Sequence, residues 1–387
     1  VIDVATDKIL TYSGAAVNLG AKTLTLSGGG TLSNTNALVL NNADSLLSLD
    51  DSLTVGLASV TVGSNVGKGL AVNESSTISS LKVAANTELN VAQGKVLSGS
   101  TEVAAGKTLK LSGTGTFGSA LNLLGTLEAG ANLTVSGLIS VGGNSAVSIP
   151  ANTTLTYTGG DLKVGAYSLS IGGAGTFSND VNSPLVLDVA GSILDLSGSG
   201  TITGPLKLES GTLKASAGSP TISGALTQYD DATIEVAANQ TLNYSGASLN
   251  LGANKLSLIG GGTFNNTNAL VLNNADSLLS LGGILTIGDI DGTTSSNSGK
   301  GIEVISSATM GDYDLSAESY LAITASQTLA GQLNLKTDGE LKTSGDGQYI
   351  GDIELAGGKF SATDNQVLGG TLSITADSEL TVSQGYT

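Results

Sequence analysis

Residues 10–49 read LTYSGAAVNLGAKTLTLSGGGTLSNTNALVLNNADSLLSL, and residues 242–281 read LNYSGASLNLGANKLSLIGGGTFNNTNALVLNNADSLLSL. Aligned without a gap, 31 of the 40 positions match, and the last fifteen, residues 35–49 and 267–281, are identical. Internal similarity at a fixed offset is the signature of repeat architectures. The repeat therefore limits the fold to classes that grow by adding equivalent units.

A third and more diverged copy follows the first. The segment LTYTGGDLKVGAYSLSIGGAGTFSN spans residues 155–179 and keeps the tyrosine and the glycine run of the other two copies. We therefore predict one continuous solenoid over residues 1–387, built from internal modules at 1–146, 147–232 and 233–387.

A shorter phrase recurs inside each module. It reads apolar, any residue, Ala, a small or polar pair, Thr or Glu, Leu, any residue, apolar. The alternating flanks have the period of two of a half-buried strand, and the Ala-Asn or Ala-Gly centre tolerates left-handed backbone angles. The phrase predicts strand, tight turn, strand, and it occurs as VAANTELNV (83–91), VAAGKTLKL (103–111), LEAGANLTV (127–135), IPANTTLTY (149–157), VAANQTLNY (236–244), ITASQTLAG (323–331) and ITADSELTV (374–382).

The composition favours a thin, layered core. Aromatic residues make up 3% of the chain, Trp and Cys are absent, and Gly occurs 55 times. A β-sandwich or barrel of this size would fill its wide interior with aromatic side chains, whereas a solenoid stacks Leu on Leu along its axis. We predict an all-β fold, a parallel β-helix (β-solenoid) of roughly 17–20 coils of about 20 residues, and handedness rules favour a right-handed helix.

The net charge of the chain limits the classes of molecule that it can bind. The net charge is −17, which repels phosphate backbones, so we expect no nucleic-acid partner. No apolar stretch approaches the ~18 residues of a membrane span, so we expect no membrane insertion in this segment. The chain opens at Val1 without a leader, and we expect a mature or excised piece.

Two phrases carry a resemblance to a known group of proteins. AANQTLNYSG (237–246) and LSGGGTLSN (26–34) resemble the repeats of large bacterial surface β-helix proteins, the autotransporter passengers and filamentous-haemagglutinin-like adhesins. The resemblance implies an exported, elongated protein, extracellular or on the cell surface, that serves in attachment or as scaffold.

Parallel β-helices also include polysaccharide-active enzymes, which form a remote alternative. Their chemistry needs carboxylates with a base, and platforms that hold sugar. His and Trp are absent and every basic residue is a lysine, so only pairs such as Lys82 with Glu88, or Lys107 with Glu102, can be considered. We predict that the chain is not an enzyme.

Calcium is the one cofactor that the sequence raises. Asp289-Ile290-Asp291-Gly292 is an Asp-x-Asp-Gly element, which makes Asp289 and Asp291 candidate ligands for Ca²⁺. The equivalent positions in the first module are Leu57 and Ser59, so the element departs from the repeat. It is either a ligand site or drift within a loop, and drift is the favoured interpretation. No other cofactor is indicated.

The identical segments raise a further question. Core packing explains why leucines repeat, but residues 41–45 include turn positions that packing alone does not fix. Recent duplication is the simplest explanation, and a shared contact between rods is the alternative.

Both ends cut through the repeat rather than closing it with a polar cap. We therefore expect either a piece of a longer rod or end-to-end self-association, in which Thr387 meets Val1. The favoured function is a structural segment of a filament or adhesin stalk. The alternative is an adhesin module that binds a glycan or a cell surface.

Overall fold

The computed structural model describes residues 1–283, 285–365 and 367–383, and no helix occurs within those ranges. Its strands pair in parallel and stack as a β-solenoid of about 18 turns of about 21 residues. The predicted all-β class, parallel pairing and coil length are thereby confirmed. Right-handedness and the module boundaries stay predictions.

The chain divides into two compact units. Unit 1 comprises Val1–Val186 and Ser199–Gly204, and unit 2 comprises Leu187–Gly198 and Pro205–Thr387. The strands of unit 1 are β1 (Ile2–Asp3), β2 (Ile9–Tyr12), β3 (Val17–Asn18), β4 (Thr23–Ser27), β5 (Thr31–Asn34), β6 (Leu38–Leu40), β7 (Leu46–Leu49), β8 (Thr54–Val60), β9 (Gly69–Val72), β10 (Ser76–Val83), β11 (Thr87–Val91), β12 (Val96–Val103), β13 (Thr108–Ser112), β14 (Thr116–Phe117), β15 (Ala120–Leu123), β16 (Thr126–Ala129), β17 (Leu133–Val135), β18 (Ile139–Val141), β19 (Ser145–Ile149), β20 (Thr154–Tyr157), β21 (Leu162–Lys163), β22 (Ser168–Gly173), β23 (Thr176–Asn179) and β26 (Thr201–Ile202).

β24 (Leu185–Leu187) contains the residues at which the two units divide. The strands of unit 2 are β25 (Ile193–Leu196), β27 (Leu206–Leu208), β28 (Thr212–Ala215), β29 (Thr221–Ile222), β30 (Leu226–Gln228), β31 (Ala232–Val236), β32 (Thr241–Tyr244), β33 (Leu249–Asn250), β34 (Lys255–Gly260), β35 (Thr263–Asn266), β36 (Leu270–Leu272), β37 (Leu278–Gly282), β38 (Leu285–Ile287), β39 (Ile290–Gly292), β40 (Gly301–Val304), β41 (Ala308–Leu315), β42 (Glu318–Ile323), β43 (Thr328–Lys336), β44 (Glu340–Ser344), β45 (Gln348–Tyr349), β46 (Asp352–Ala356), β47 (Lys359–Ala362), β48 (Val367–Leu368), β49 (Leu372–Ala376) and β50 (Glu379–Val382).

Each coil places strands on three faces. In unit 1, β4, β5 and β6 lie on what we name the first, second and third face, and β34, β35 and β36 are their counterparts in unit 2. In unit 1 Leu26 of β4 pairs with Leu49 of β7, and in unit 2 Leu258 of β34 pairs with Leu281 of β37. The offset of 232 residues found in the sequence is thus also the offset of the strand register.

The core is a column of alternating inward side chains. Most are Leu, Val and Ile, and each contributes about 1.5–3 kcal/mol when fully buried. The larger ones stack on one another between coils: Tyr244 and Phe264 lie with their ring centroids 6.3 Å apart in unit 2, and Tyr157 and Phe177 do the same in unit 1. A thin core therefore needs few aromatic residues, as the composition predicts.

Left-handed residues form the tight turns. Asn152 and Asn239 have φ of 62°, Gly106 has 67° and Ser326 has 66°, which confirms the turn predicted at the centre of these copies of the phrase. A different glycine is required where β12 passes from the second to the third face. Gly99 has φ of 115°, and a Cβ atom there would collide with the Ile78 carbonyl oxygen.

Candidate functional site

The repeated turn, which we define as residues 41–45 of unit 1 and 273–277 of unit 2, is bonded to the coil before it. The Ser45 hydroxyl donates to the Gly20 carbonyl oxygen at 2.5 Å, and Asn41 Oδ1 accepts from the Gly20 amide at 2.8 Å. Within the turn, the Asn42 amide donates to Ser45 Oγ at 3.1 Å. These bonds satisfy backbone groups that would otherwise be left unpaired at the corner.

The same turn is also bonded to the coil that follows it. Asn65 Nδ2 donates to Asp44 Oδ1 at 2.8 Å, and the Asn65 amide donates to the Ala43 carbonyl oxygen at 2.8 Å. In unit 2, Asn297 donates to Asp276 at 2.8 Å in the same way. The turn therefore links three successive coils of each unit.

This network gives the identical segments a structural reason. The side chains of Asn41, Asn42, Asp44 and Ser45 each hold a partner, and their counterparts in unit 2 make the same bonds. The identity of the two segments can therefore be explained without a contact between rods. Recent duplication is also compatible with the identity. Sequence reasoning missed Asn65 and Asn297, whose offset of 232 residues was the available signal.

The two candidate calcium ligands lie on the third face of unit 2. Asp291 in β39 pairs in register with Asp314 in β41, and Asp289 Oδ1 accepts from the Asp312 amide at 3.0 Å. We name Asp289, Asp291, Asp312 and Asp314 the acidic patch. Its counterpart column in unit 1 carries Ser59, Lys82 and Glu102.

A lysine balances part of this acidic patch. Lys336 Nζ contacts Asp314 Oδ2 at 2.5 Å, and Asn334 Nδ2 donates to Asp314 Oδ1 at 2.7 Å. Burial acts to raise the pKa of Asp314, but these hydrogen bonds outweigh it and hold the pKa below its ordinary value. Burial, followed by the negative charge of Asp314, raises the pKa of Asp291.

The structure brings Asp289 and Asp291 to one surface with two further carboxylates that sequence reasoning missed. In the described part of the chain, no group of three or more Asp or Glu side chains is spaced to hold a metal ion. Lys336 and backbone amides also compete for the oxygens that a cation would use. The interpretation of Asp289 and Asp291 therefore stays as the sequence left it, either a ligand site or drift, with drift favoured.

In the structure, the lysines and glutamates considered for catalysis have partners other than those suggested by the sequence. Lys82 lies in register with Glu102, not with Glu88, and its Nζ is 4.0 Å from Glu102 Oε1. The two side chains are 61% and 44% exposed, as expected of a solvated surface pair. Lys107 lies in the turn after β12, and Glu88 is in register with Lys110 on the first face. The pair of Lys82 with Glu88 considered from the sequence is therefore not formed in register, and Lys82 lies beside Glu102 instead.

The surface grooves are shallow and polar. One in unit 1, of about 260 Å³, is lined by Glu88, Lys110 and Glu128. One in unit 2, of about 320 Å³, is lined by Asp231, Lys255 and surrounding hydroxyl groups. Both are open to solvent, whereas sites for small molecules enclose most of the ligand and are largely apolar.

The first coil and the last described coil expose side chains that other coils bury. Leu10 is 43% and Tyr12 37% exposed in unit 1, and Ile374 is 66% exposed in unit 2. These residues occupy inward positions, since they pair with buried Leu32, Asn34 and Leu355. The predicted meeting of Thr387 with Val1 lies outside the described residues, because 384–387 are not among them.

Comparison of the chain with models of protein families, with curated proteins and with solved structures found no match. Over the described ranges, no helix has the length and apolarity needed to cross a membrane. The argument about function therefore rests on the chain's own residues and the surfaces they form.

Proposed function

We propose that this chain is a structural segment of an extracellular or cell-surface filament or adhesin stalk, and that it is not an enzyme. The single observation that carries the proposal is the inter-coil network of the repeated turn. The polar side chains of this turn form hydrogen bonds between successive coils. The most strongly repeated surface segment of the chain therefore has a structural role. A relation to autotransporter passengers and filamentous-haemagglutinin-like adhesins is part of this proposal.

Charge ladders along the faces support the same function. In unit 2, Lys214 Nζ lies 2.7 Å from Glu235 Oε1 in the next coil, and Lys359 lies 3.6 Å from both Glu340 and Glu379. Each such exposed pair contributes only about 0–1 kcal/mol, but together they alternate charge between stacked coils. Lys214 and Lys359 are thereby engaged in joining coils rather than gathered in one cleft.

The alternative function is an adhesive module that binds a glycan. The groove beside Asp231 and Lys255 offers hydroxyl, carboxylate and ammonium groups, which suit sugar hydroxyls. A sugar site usually adds an aromatic ring on which the sugar stacks, and none lines this groove. A glycan array probed with the intact chain separates the two functions: we expect no glycan to be retained, and specific retention that Asp231→Ala abolishes would favour the adhesive module.

The location is tested on the cells that produce the chain. Antibodies against the purified chain are applied to intact cells and, in parallel, to permeabilised cells, and bound gold label is counted by electron microscopy. We expect equal labelling of both, with the gold on external filaments or on the surface. Label that appears only after permeabilisation would contradict the proposal, and an antibody against a cytoplasmic enzyme serves as the control for intactness.

A further inference from the structure

Four consecutive second-face strands of unit 1 stack in register without a bulge. β17 pairs with β20 through Leu133 and Leu155, β20 pairs with β23, and β23 pairs with β26. Because the register does not shift, each outward position continues from coil to coil as an unbroken column. Two adjacent columns carry hydroxyl side chains, which we name the hydroxyl array: Thr154, Thr176 and Thr201 in the first, and Thr134, Thr156, Ser178 and Thr203 in the second.

The hydroxyl groups of this array are not used within the chain. Elsewhere such groups bond to a neighbouring coil, as Ser100 does to the Ser79 carbonyl oxygen at 2.8 Å. In the part of the chain that the structure describes, no hydroxyl of the array has a hydrogen-bond partner. Asn132, which precedes Thr154 in the first column, instead accepts from the Thr154 amide at 2.8 Å. The array therefore presents its donors and acceptors to the surroundings.

The backbone fixes the spacing of the array. Neighbouring strands lie about 4.8 Å apart, and alternate residues of one strand lie about 6.6 Å apart. Threonine is branched at Cβ, which restricts rotation about χ1. Thr156 and Thr176 are also half-buried between the neighbours in their columns. The hydroxyl groups are thus held near the points of a two-dimensional lattice.

A periodic array of this kind fits a periodic partner. A site for a dissolved small molecule is concave and holds a few convergent polar groups, whereas these columns repeat one group along the outer surface of a sheet. Oxygen atoms on the prism faces of ice repeat at comparable distances in two perpendicular directions. Each of them donates and accepts hydrogen bonds, as hydroxyl groups do. The columns also carry no charge, although the net charge of the chain is −17.

Unit 2 does not repeat the array. Thr241 and Thr263 pair in register and continue one column there. The neighbouring column holds Asn243 and Asn265, and Asn265 Nδ2 donates to Asn243 Oδ1 at 2.9 Å. These two amide groups are engaged with each other, so the second column lacks the free hydroxyl groups that it has in unit 1.

We propose that the hydroxyl array of unit 1 binds ice. Its hydroxyl groups take the places of water molecules at the crystal surface, and the coil spacing keeps successive groups in step with the lattice. Many weak contacts act together because all of them are held by one rigid sheet. This activity goes beyond the proposed structural function and does not rest on it.

The activity is tested on the purified chain in two ways. Ice is grown slowly on a cooled probe in a solution of the chain, and the fraction of protein taken into the ice is measured. The gap between the melting and freezing temperatures of a single ice crystal is recorded in parallel. We expect the chain to enter the ice, to facet the crystal and to open a measurable gap. Exclusion of the parent chain from the ice would overturn the proposal.

Two matched variants locate the activity. Thr156→Lys places a long charged side chain inside the array, and Thr227→Lys makes the same change at an exposed position of β30 in unit 2. We expect Thr156→Lys to lose both signals and Thr227→Lys to keep them. Circular dichroism verifies that both variants fold, and Thr176→Lys is the second array variant if Thr156→Lys does not.

Equal uptake into ice by the folded array variant and the parent would overturn the assignment to this face. Retention of the chain on microcrystalline cellulose without uptake into ice would also overturn it, since the periodic partner would then be a polysaccharide. Neither result affects the surface labelling of cells, so the two proposals fail separately.

Discussion

Ser45 Oγ donates to the Gly20 carbonyl oxygen at 2.5 Å, across 25 residues of chain, and its counterpart Ser277 does the same to Gly252 at 2.6 Å. Ser45 and Ser277 are fully buried. A hydroxyl in this position forms a hydrogen bond to the preceding coil, so the turn also stabilises the stacking of the coils.

Replacing Ser45 with Ala should therefore destabilise unit 1. The Gly20 carbonyl loses its donor at a buried corner, which costs about 1–3 kcal/mol. Urea unfolding followed by circular dichroism measures the loss. Ser80→Ala, on an exposed part of β10, is the control and should change stability by less than about 0.5 kcal/mol. Equal effects of the two substitutions would contradict the role of the turn.

A pair of glycines separates backbone strain from collision. Gly94 and Gly99 both have positive φ, but a Cβ atom on Gly94 meets nothing within 4 Å, whereas one on Gly99 strikes the Ile78 carbonyl. We expect Gly94→Ala to cost about 1 kcal/mol and Gly99→Ala distinctly more. The difference between their urea midpoints is the measurement, and similar midpoints would argue against the close corner between β10 and β12.

Thr101 offers a stabilising substitution. It is 3% exposed, lies in register between Leu81 and Leu121, and its hydroxyl has no hydrogen-bond partner among the described residues. Thr101→Val keeps the shape and removes the buried polar group, so we expect a gain of about 1 kcal/mol. Thermal unfolding reports the change. A lower melting temperature would mean that the hydroxyl is satisfied in solution.

Two carboxylates of the acidic patch, Asp314 and Asp291, are expected to change the stability of the fold with pH in opposite directions. The pKa of Asp314 is lowered, so its ionised form stabilises the fold at neutral pH, and this stabilisation is lost as the pH falls through the folded pKa, below 3.8. The pKa of Asp291 is raised, so ionisation opposes folding above that pKa, and protonation relieves the cost. Both effects should stay under about 1 kcal/mol, because both side chains are partly exposed to solvent.

Asp314→Asn should accordingly lower the urea midpoint at pH 7, and Asp291→Asn should raise it. Both differences should shrink at about pH 3, where model carboxyl groups are mostly protonated. Asp352→Asn, an exposed carboxylate on the same face, provides a matched change of charge. If Asp291→Asn lowered the midpoint at neutral pH, the interpretation of Asp291 as an unfavourable charge would be wrong.

The sequence predicts the repeat and its period because identical residues must occupy identical places in the coil, as Leu26 and Leu258 do. It predicts the left-handed turn at Asn239 because few residues other than Gly tolerate that angle. It does not identify the partner of Lys82, because Glu88 is nearer in the sequence but Glu102, one coil later, is the neighbour in space. Pairing between coils depends on the length of every intervening turn. A local sequence pattern therefore does not predict which residues pair.

The acidic patch shows the same limit. Asp289 and Asp291 are visible as a short motif, but Asp314 and Lys336 reach them only through the register of β39, β41 and β43. Those partners decide which carboxylate is neutralised. The motif that suggests Asp289 and Asp291 as calcium ligands therefore lies, in the folded chain, beside the ammonium group of Lys336, which competes with a cation for the carboxylates.

Cryo-electron microscopy of filaments isolated from the surface of the producing cells tests the central claim, that this chain is a structural segment of an extracellular or cell-surface filament or stalk. We predict filaments with a strand spacing of about 4.8 Å along the axis, into which the coils of this chain fit. Surface filaments that lack this spacing, or in which antibodies against the purified chain label nothing, would contradict the claim.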